Sequence, residues 1–206
     1  MSYMIIYCDC VGLVEAGDGA VGDGEGDVVG GIGGEAGGGD LMAGAQTGTG
    51  KTAGFTLPVL QRLSGGARPA ARTVRALVLT PTRELAAQVE ESVRTYGKYL
   101  KLSSAVIFGG VNINPQIQQL QRGVDIVVGT PGRLNDLLER KVLFLNGIKT
   151  VVLDEADEML DLGFREDLEF ILAASPETKS TLMFSATMPK GIVALAQRYQ
   201  KNALRI

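Results

Sequence analysis

Residues 45–52 read Ala45-Gln46-Thr47-Gly48-Thr49-Gly50-Lys51-Thr52, a pattern suited to holding phosphate. Glycines at this spacing let successive backbone N–H groups face one concavity, a lysine reaches the outer phosphates, and a neighbouring hydroxyl can bind Mg²⁺. All eight residues are therefore candidate nucleotide contacts, with Lys51 on the β and γ phosphates and Thr52 on the metal. Ala45 stands where the strict pattern has its first glycine, a departure of one methyl group. A second cluster, Asp154-Glu155-Ala156-Asp157, follows the apolar run Val151-Val152-Leu153. Asp154, at the end of a buried strand, is the expected Mg²⁺ partner. Glu155 is placed to polarise water for attack on a γ phosphate. Three acids in four residues also suit a solvated helix start, where the helix dipole favours negative charge.

Such groups need elements that end beside one another. Leu41–Ala45 reads as a strand running into the glycine turn, and Lys51–Leu63 as a helix. Ser64–Arg72, with Gly65, Gly66 and Pro69, reads as a surface loop. Arg75–Thr80 is a strand. Thr82 can cap the next helix, whose apolar stripe is Leu85, Val89, Val93, Tyr96 and Leu100. Ala105–Phe108 is a strand ending at Gly109-Gly110, Pro115 opens a helix closed by Gly123, and Asp125–Gly129 is a strand. Helices over Arg133–Arg140, Asp167–Ala173 and Pro189–Tyr199 alternate with strands over Thr150–Asp154 and Thr181–Ser185. Short apolar strands alternating with helices imply a parallel α/β sheet covered on both faces. Ligands of such a sheet sit at the carboxyl ends of its strands.

Composition narrows the chemistry. The chain has 206 residues, room for one α/β domain. It has no histidine, which removes imidazole triads, histidine zinc sites and imidazole proton shuttles. Its two cysteines, Cys8 and Cys10, are too close for a relaxed disulfide and too few for a zinc cluster. No apolar run approaches the ~18–20 residues that span a bilayer, and Met4–Ile6 lacks the basic flank of a signal peptide. A soluble cytoplasmic protein is expected, with no membrane partner. The formal net charge of −3 is unevenly spread. Residues 1–40 hold 13 of the 28 glycines, eight acidic residues and no lysine or arginine, which leaves a mildly basic body. Segment 1–39 is therefore expected to be a flexible Gly/acid-rich tail or the product of a shifted reading frame, since Gly, Ala, Val, Asp and Glu are the residues whose codons begin with G. Residues 40–206 form the domain.

The string Asp-Glu-Ala-Asp resembles the motif that names the DEAD-box RNA helicases, and other clusters match that family in order. They are AQTGTGKT at 45–52, PTREL at 81–85, GG at 109–110, TPGR at 130–133, DEAD at 154–157 and SAT at 185–187. The stretch GGVNINPQIQQLQRGVDIVVGTPGRL is most similar to the bacterial RhlE-type subgroup. The resemblance implies a RecA-like, P-loop NTPase fold and ATP-driven binding and unwinding of RNA. It implies that Lys51, Thr52, Asp154 and Glu155 bind and hydrolyse ATP·Mg²⁺. Ser185, Ala186 and Thr187 would couple hydrolysis to strand separation, partly by contacting Asp157. Pro81, Thr82, Arg83, Gly109, Gly110, Thr130, Pro131, Gly132 and Arg133 would hold single-stranded or duplex RNA through its backbone. Glycines offer exposed backbone donors, hydroxyls can meet sugar hydroxyls, and arginine supplies a phosphate fork.

Two departures bear on activity. The family carries a second RecA-like domain with arginine fingers, which follows the SAT motif and is expected in a longer parent. It also carries an upstream adenine-reading glutamine, expected near Val28, whereas residues 1–40 contain no glutamine. The competing expectation is a non-catalytic nucleotide- and RNA-binding module that cannot unwind. An unrelated phosphate-loop kinase would have no reason to carry TPGR and SAT.

Overall fold

The computed structural model describes residues 39–44 and 50–205. The expected N-terminal segment up to Gly38, including Val28, and the loop residues Ala45, Gln46, Thr47, Gly48 and Thr49 lie outside the described residues.

Seven strands form one sheet: β1 (Leu41–Gly44), β2 (Val74–Leu79), β3 (Ser104–Ile107), β4 (Val124–Gly129), β5 (Thr150–Leu153), β6 (Ser180–Ser185) and β7 (Leu204–Arg205). Their spatial order is β3-β4-β2-β5-β6-β1-β7, and every pairing is parallel. Parallel neighbours require crossovers, and these are supplied by α1 (Lys51–Ser64), α2 (Arg83–Tyr96), α3 (Ile113–Leu120), α4 (Pro131–Glu139), α5 (Ala156–Asp161), α6 (Arg165–Ala174) and α7 (Lys190–Tyr199).

Alternate strand residues feed two separate cores, one on each face. Ala76, Val78, Val152 and Phe184 pack with α1 and α2, where the Phe55 and Phe184 rings lie 5.3 Å apart. Leu77, Leu79, Val151 and Leu153 pack on the opposite face with helices α4 to α7. Burial on both faces is why these strands read as unbroken apolar runs. Each fully buried aliphatic side chain contributes roughly 1.5–3 kcal/mol by its removal from water.

Several boundaries differ from expectation for local reasons. Helix α3 begins at Ile113, two residues before Pro115, because the Asn112 side chain accepts from the Asn114 N–H at 3.0 Å and caps it. Proline is tolerated there because first-turn N–H groups have no helical partner. Pro131 occupies the first position of α4, so that helix starts two residues before Arg133. Thr82 caps α2 as expected, its hydroxyl accepting from the Leu85 N–H at 3.2 Å. The α2 stripe is displaced, however: Ala86 is buried and Tyr96 is exposed. Two elements were not anticipated, the six-residue α5 and the two-residue β7.

Asp40 secures β1, the strand that leads to the phosphate loop. Its Oδ1 accepts from the Thr181 N–H at 2.6 Å, its Oδ2 from the Lys201 N–H, and its carbonyl from the Leu204 N–H. Buried Arg75 and Asp125 pair at 2.8 Å near the amino ends of β2 and β4, the edge opposite the sequence motifs.

Candidate nucleotide and nucleic-acid site

The strand order divides the motif-bearing loops into two neighbouring groups along the carboxyl edge. Strands β3, β4 and β2 are adjacent, and they lead into Gly109-Gly110, Thr130–Arg133 and Pro81–Arg83. Strands β5, β6 and β1 are also adjacent; Asp154–Asp157 follows β5, Ser185–Thr187 lies at the end of β6, and Lys51, drawn to Asp154 and Glu155, joins them from the start of α1. Segments far apart in sequence thus form two contiguous patches on one edge of the sheet.

In the second patch, Gly50 takes φ 75° and starts α1, so Lys51 and Thr52 fall in its first turn. Lys51 Nζ lies 3.0 Å from Asp154 Oδ1 and 3.3 Å from Glu155 Oε1. Lys51 and Asp154 are buried, with Glu155 partly exposed beside them. Glu155 itself has φ 55°, the left-handed region, where a side chain with a Cβ is strained by about 1–3 kcal/mol. That residue turns the chain from β5 into α5 and leaves its carboxylate against the lysine.

Burial pushes the Asp154 carboxyl above the ordinary carboxylate range, and the Glu155 charge adds to the rise. The Lys51 ammonium pulls the other way and offsets only part of it. The Lys51 ammonium is the partner of Asp154 Oδ1, while Asp154 Oδ2 is buried with no side-chain donor on it among the described residues. A buried carboxylate with lone pairs to spare beside a cation suits a site that takes up further positive charge. Among the described residues no three His, Cys, Asp or Glu side chains gather around a metal. Mg²⁺ at a phosphate site needs only one or two carboxylates, because substrate phosphates and water complete its shell.

The end of β6 meets this cluster through hydrogen bonds. Ser185 Oγ accepts from the Asp157 N–H at 3.2 Å and donates to the Thr187 carbonyl at 2.7 Å. The Thr187 hydroxyl and N–H each donate to Asp157 Oδ2 at 2.8 Å. Partial burial alone would raise the Asp157 carboxyl. The donors from Thr187 and Ser185 outweigh it and hold the group below its ordinary value. Ala186 is exposed between the two bonded residues.

In the first patch, Arg83 is exposed and pairs with exposed Glu84 at 2.8 Å. Arg83 Nη1 would lie 3.7 Å from a Cβ placed on Gly110, which has φ 78°. Loops from β2 and β3 therefore adjoin. Arg133 Nη2 donates to the Val111 carbonyl at 2.9 Å, linking the loops after β4 and β3. Pro81, Thr130 and Pro131 are buried, whereas Gly110 and Gly132 are exposed. The sequence reading missed Gln116, which is buried on α3 and donates to the Phe108 carbonyl at 3.0 Å. Its signal was its position on the helical stripe Ile113, Gln116, Ile117 and Leu120.

The family model described as DEAD/DEAH box helicase matches residues 34–195. Over 162 residues the chain is 48% identical to the "DEAD-box ATP-dependent RNA helicase CshA" of Streptococcus pneumoniae, a match covering 79% of this chain and 30% of that protein. It is 49% identical over 160 residues to the "RNA helicase CrhR" of Synechocystis, with 78% of this chain and 32% of that protein covered. These relatives do not single out the RhlE-type subgroup. The crystal structure of a DEAD box protein from the hyperthermophile Methanococcus jannaschii superposes with a TM-score of 0.75 at 43% identity, covering 81% of this chain and 44% of that one. A hypothetical ATP-dependent RNA helicase from Sulfolobus tokodaii gives 0.73 at 37% identity, with 81% and 47% covered. The chain spans about a third of the length of these curated relatives.

Proposed function

The chain belongs to the DEAD/DEAH box helicase family as its amino-terminal RecA-like domain, and from that premise we propose that it binds and hydrolyses ATP in concert with RNA. The observation that carries this reading is the seating of Lys51 between Asp154 and Glu155 at the carboxyl edge, next to a separate patch of glycine and arginine loops. Lys51 moves from its carboxylate partners to the β and γ phosphates, exchanging one set of anions for another. Backbone N–H groups of residues 45–50 cradle the same phosphates. Thr52 and Asp154 hold Mg²⁺, which supplies neutralisation of charge on the phosphate oxygens. Glu155 orients and polarises the attacking water.

Asp157, Ser185 and Thr187 form the link by which a change at the nucleotide is felt along the edge of β6. The loops carrying Pro81–Arg83, Gly109-Gly110 and Thr130–Arg133 take the sugar–phosphate backbone of RNA. A second RecA-like domain, contributed by a longer parent chain, completes the ATP site and makes unwinding possible. ATP and RNA as substrates go with a cytoplasmic location. Among the described residues no helix is long and apolar enough to cross a membrane. The non-catalytic alternative is not favoured, because the relatives are named as ATP-dependent helicases.

Titration of the 206-residue chain with fluorescent single-stranded RNA at several salt concentrations tests the nucleic-acid half of this reading. Binding should weaken steeply with salt and differ little between base sequences, since the contacts are to phosphate and sugar. Strong preference for one sequence with no salt slope contradicts it.

A further inference from the structure

Two side chains brace the glycine pair after β3 from either side. Gln116 Nε2 donates to the Phe108 carbonyl at 3.0 Å, and Arg133 Nη2 donates to the Val111 carbonyl at 2.9 Å. These bonds bracket Gly109 and Gly110. A Cβ placed on Gly109 would meet nothing within 4 Å, and Gly110 sits at φ 78°. Two successive glycines carry the largest backbone freedom a dipeptide can have. Without the two anchors, their N–H groups would have to be ordered at the moment a ligand arrives, at an entropic cost to binding.

Gln116 is 7% exposed on the inward stripe of α3, where an apolar side chain would pack at no desolvation cost. Only the amino end of its amide can face a carbonyl, so the Phe108 bond fixes its orientation. Arg133 is similarly engaged. With Nη2 on Val111, its Nη1 is shut off from water and lacks a partner among the described residues. Its Nη2 bond to the exposed Val111 lies at the surface, so the fork is divided between a bonded and a buried nitrogen. Arg83 differs: its side chain is 59% exposed and, among the described residues, bonded to exposed Glu84 alone.

We propose that Gln116 and Arg133 are positioning residues that hold the 108–111 backbone in the shape that receives RNA. Arg133 acts through this loop, not as a fork on phosphate. The proposal rests on the RNA reading above. Because Arg133 belongs to the helix that follows β4, the loops after β3 and β4 respond as one unit. Arg83 is left as the arginine of the patch that meets phosphate directly.

The test compares Gln116→Met, Gln116→Glu, Arg133→Ala and Arg83→Ala in the 206-residue chain, with thermal melting to monitor folding. Two Gln116 variants are used so that one misfolded protein does not decide the result. Backbone amide order parameters at residues 109–112 are measured by NMR without RNA, and single-stranded RNA affinity is measured across a salt series. Both Gln116 variants and Arg133→Ala should lower the order parameters and weaken RNA binding by roughly threefold to tenfold, the scale of one hydrogen bond. Their slopes of log affinity against log salt should match the parent. Arg83→Ala should instead lower that slope by about 0.7, the loss of one phosphate contact. Unchanged order parameters in the Gln116 variants overturn the brace whether or not RNA binds. A slope reduced by Arg133→Ala overturns the indirect role of Arg133. Failure of the parent chain to bind RNA would instead sink the RNA reading, with the order parameters still judging the brace.

Discussion

Thr187 binds Asp157 twice, through its hydroxyl and through its own N–H, each 2.8 Å from the same Oδ2. The contact joins the end of β6 to the first turn of α5, 30 residues apart in sequence. It places a charged hydrogen-bonded link beside the Lys51 cluster, in an exposed position where rearrangement costs little.

Thr187→Val removes one of the two bonds while keeping side-chain shape. Urea denaturation should show a loss of about 1 kcal/mol. Asp157 has its folded pKa depressed, so its stabilising contribution is present above the unfolded carboxylate value and is lost as pH falls through the folded one. The variant should therefore titrate Asp157 at higher pH, as followed by carboxyl NMR. An unchanged Asp157 titration would contradict the role given to the hydroxyl.

Asp154 has the opposite sign. Its folded pKa is raised by burial, so its contribution is fully present below the unfolded value of about 4 and declines as pH rises through the folded value. Asp154→Asn should flatten that decline and leave the nucleotide-free chain at least as stable at pH 7, while weakening ATP binding in Mg²⁺. Denaturation curves at pH 4, 5.5 and 7 check this. A steep loss of stability at pH 7 would show that the Lys51 attraction outweighs the burial cost.

Unwinding should require a second domain. Arginine fingers contribute ~10³–10⁵ in the rate of phosphoryl transfer, and in the family they come from the domain that follows SAT. The 206-residue chain should separate a short RNA duplex with ATP little faster than without it. Robust ATP-dependent separation by this chain alone would overturn the two-domain requirement.

The strands were legible because burial on both faces writes each as a continuous apolar run, as in Val151-Val152-Leu153. The glycine, lysine and threonine of residues 48–52 stood out in the sequence because they follow one another in a fixed order. Helix α5 was not, since six residues give too short a period and its acids read equally well as loop chemistry. The left-handed turn at Glu155 left no trace either, because sequence patterns point to glycine for such conformations. Contacts of long sequence separation were equally silent: Asp40 reaches Thr181 across 141 positions and Lys201 across 161. Gln116 was visible only as an amide on an apolar stripe, which by itself does not name the carbonyl it holds.

The most direct measurement is calorimetric titration of ATP with Mg²⁺ into the chain and into Lys51→Ala. The Lys51 ammonium is the group expected to transfer from Asp154 and Glu155 to the nucleotide phosphates. Its removal should weaken binding by about 2–3 kcal/mol, the scale of a charge-assisted bond. Equal affinity for ATP in the two proteins would contradict the placement of the phosphates at Lys51.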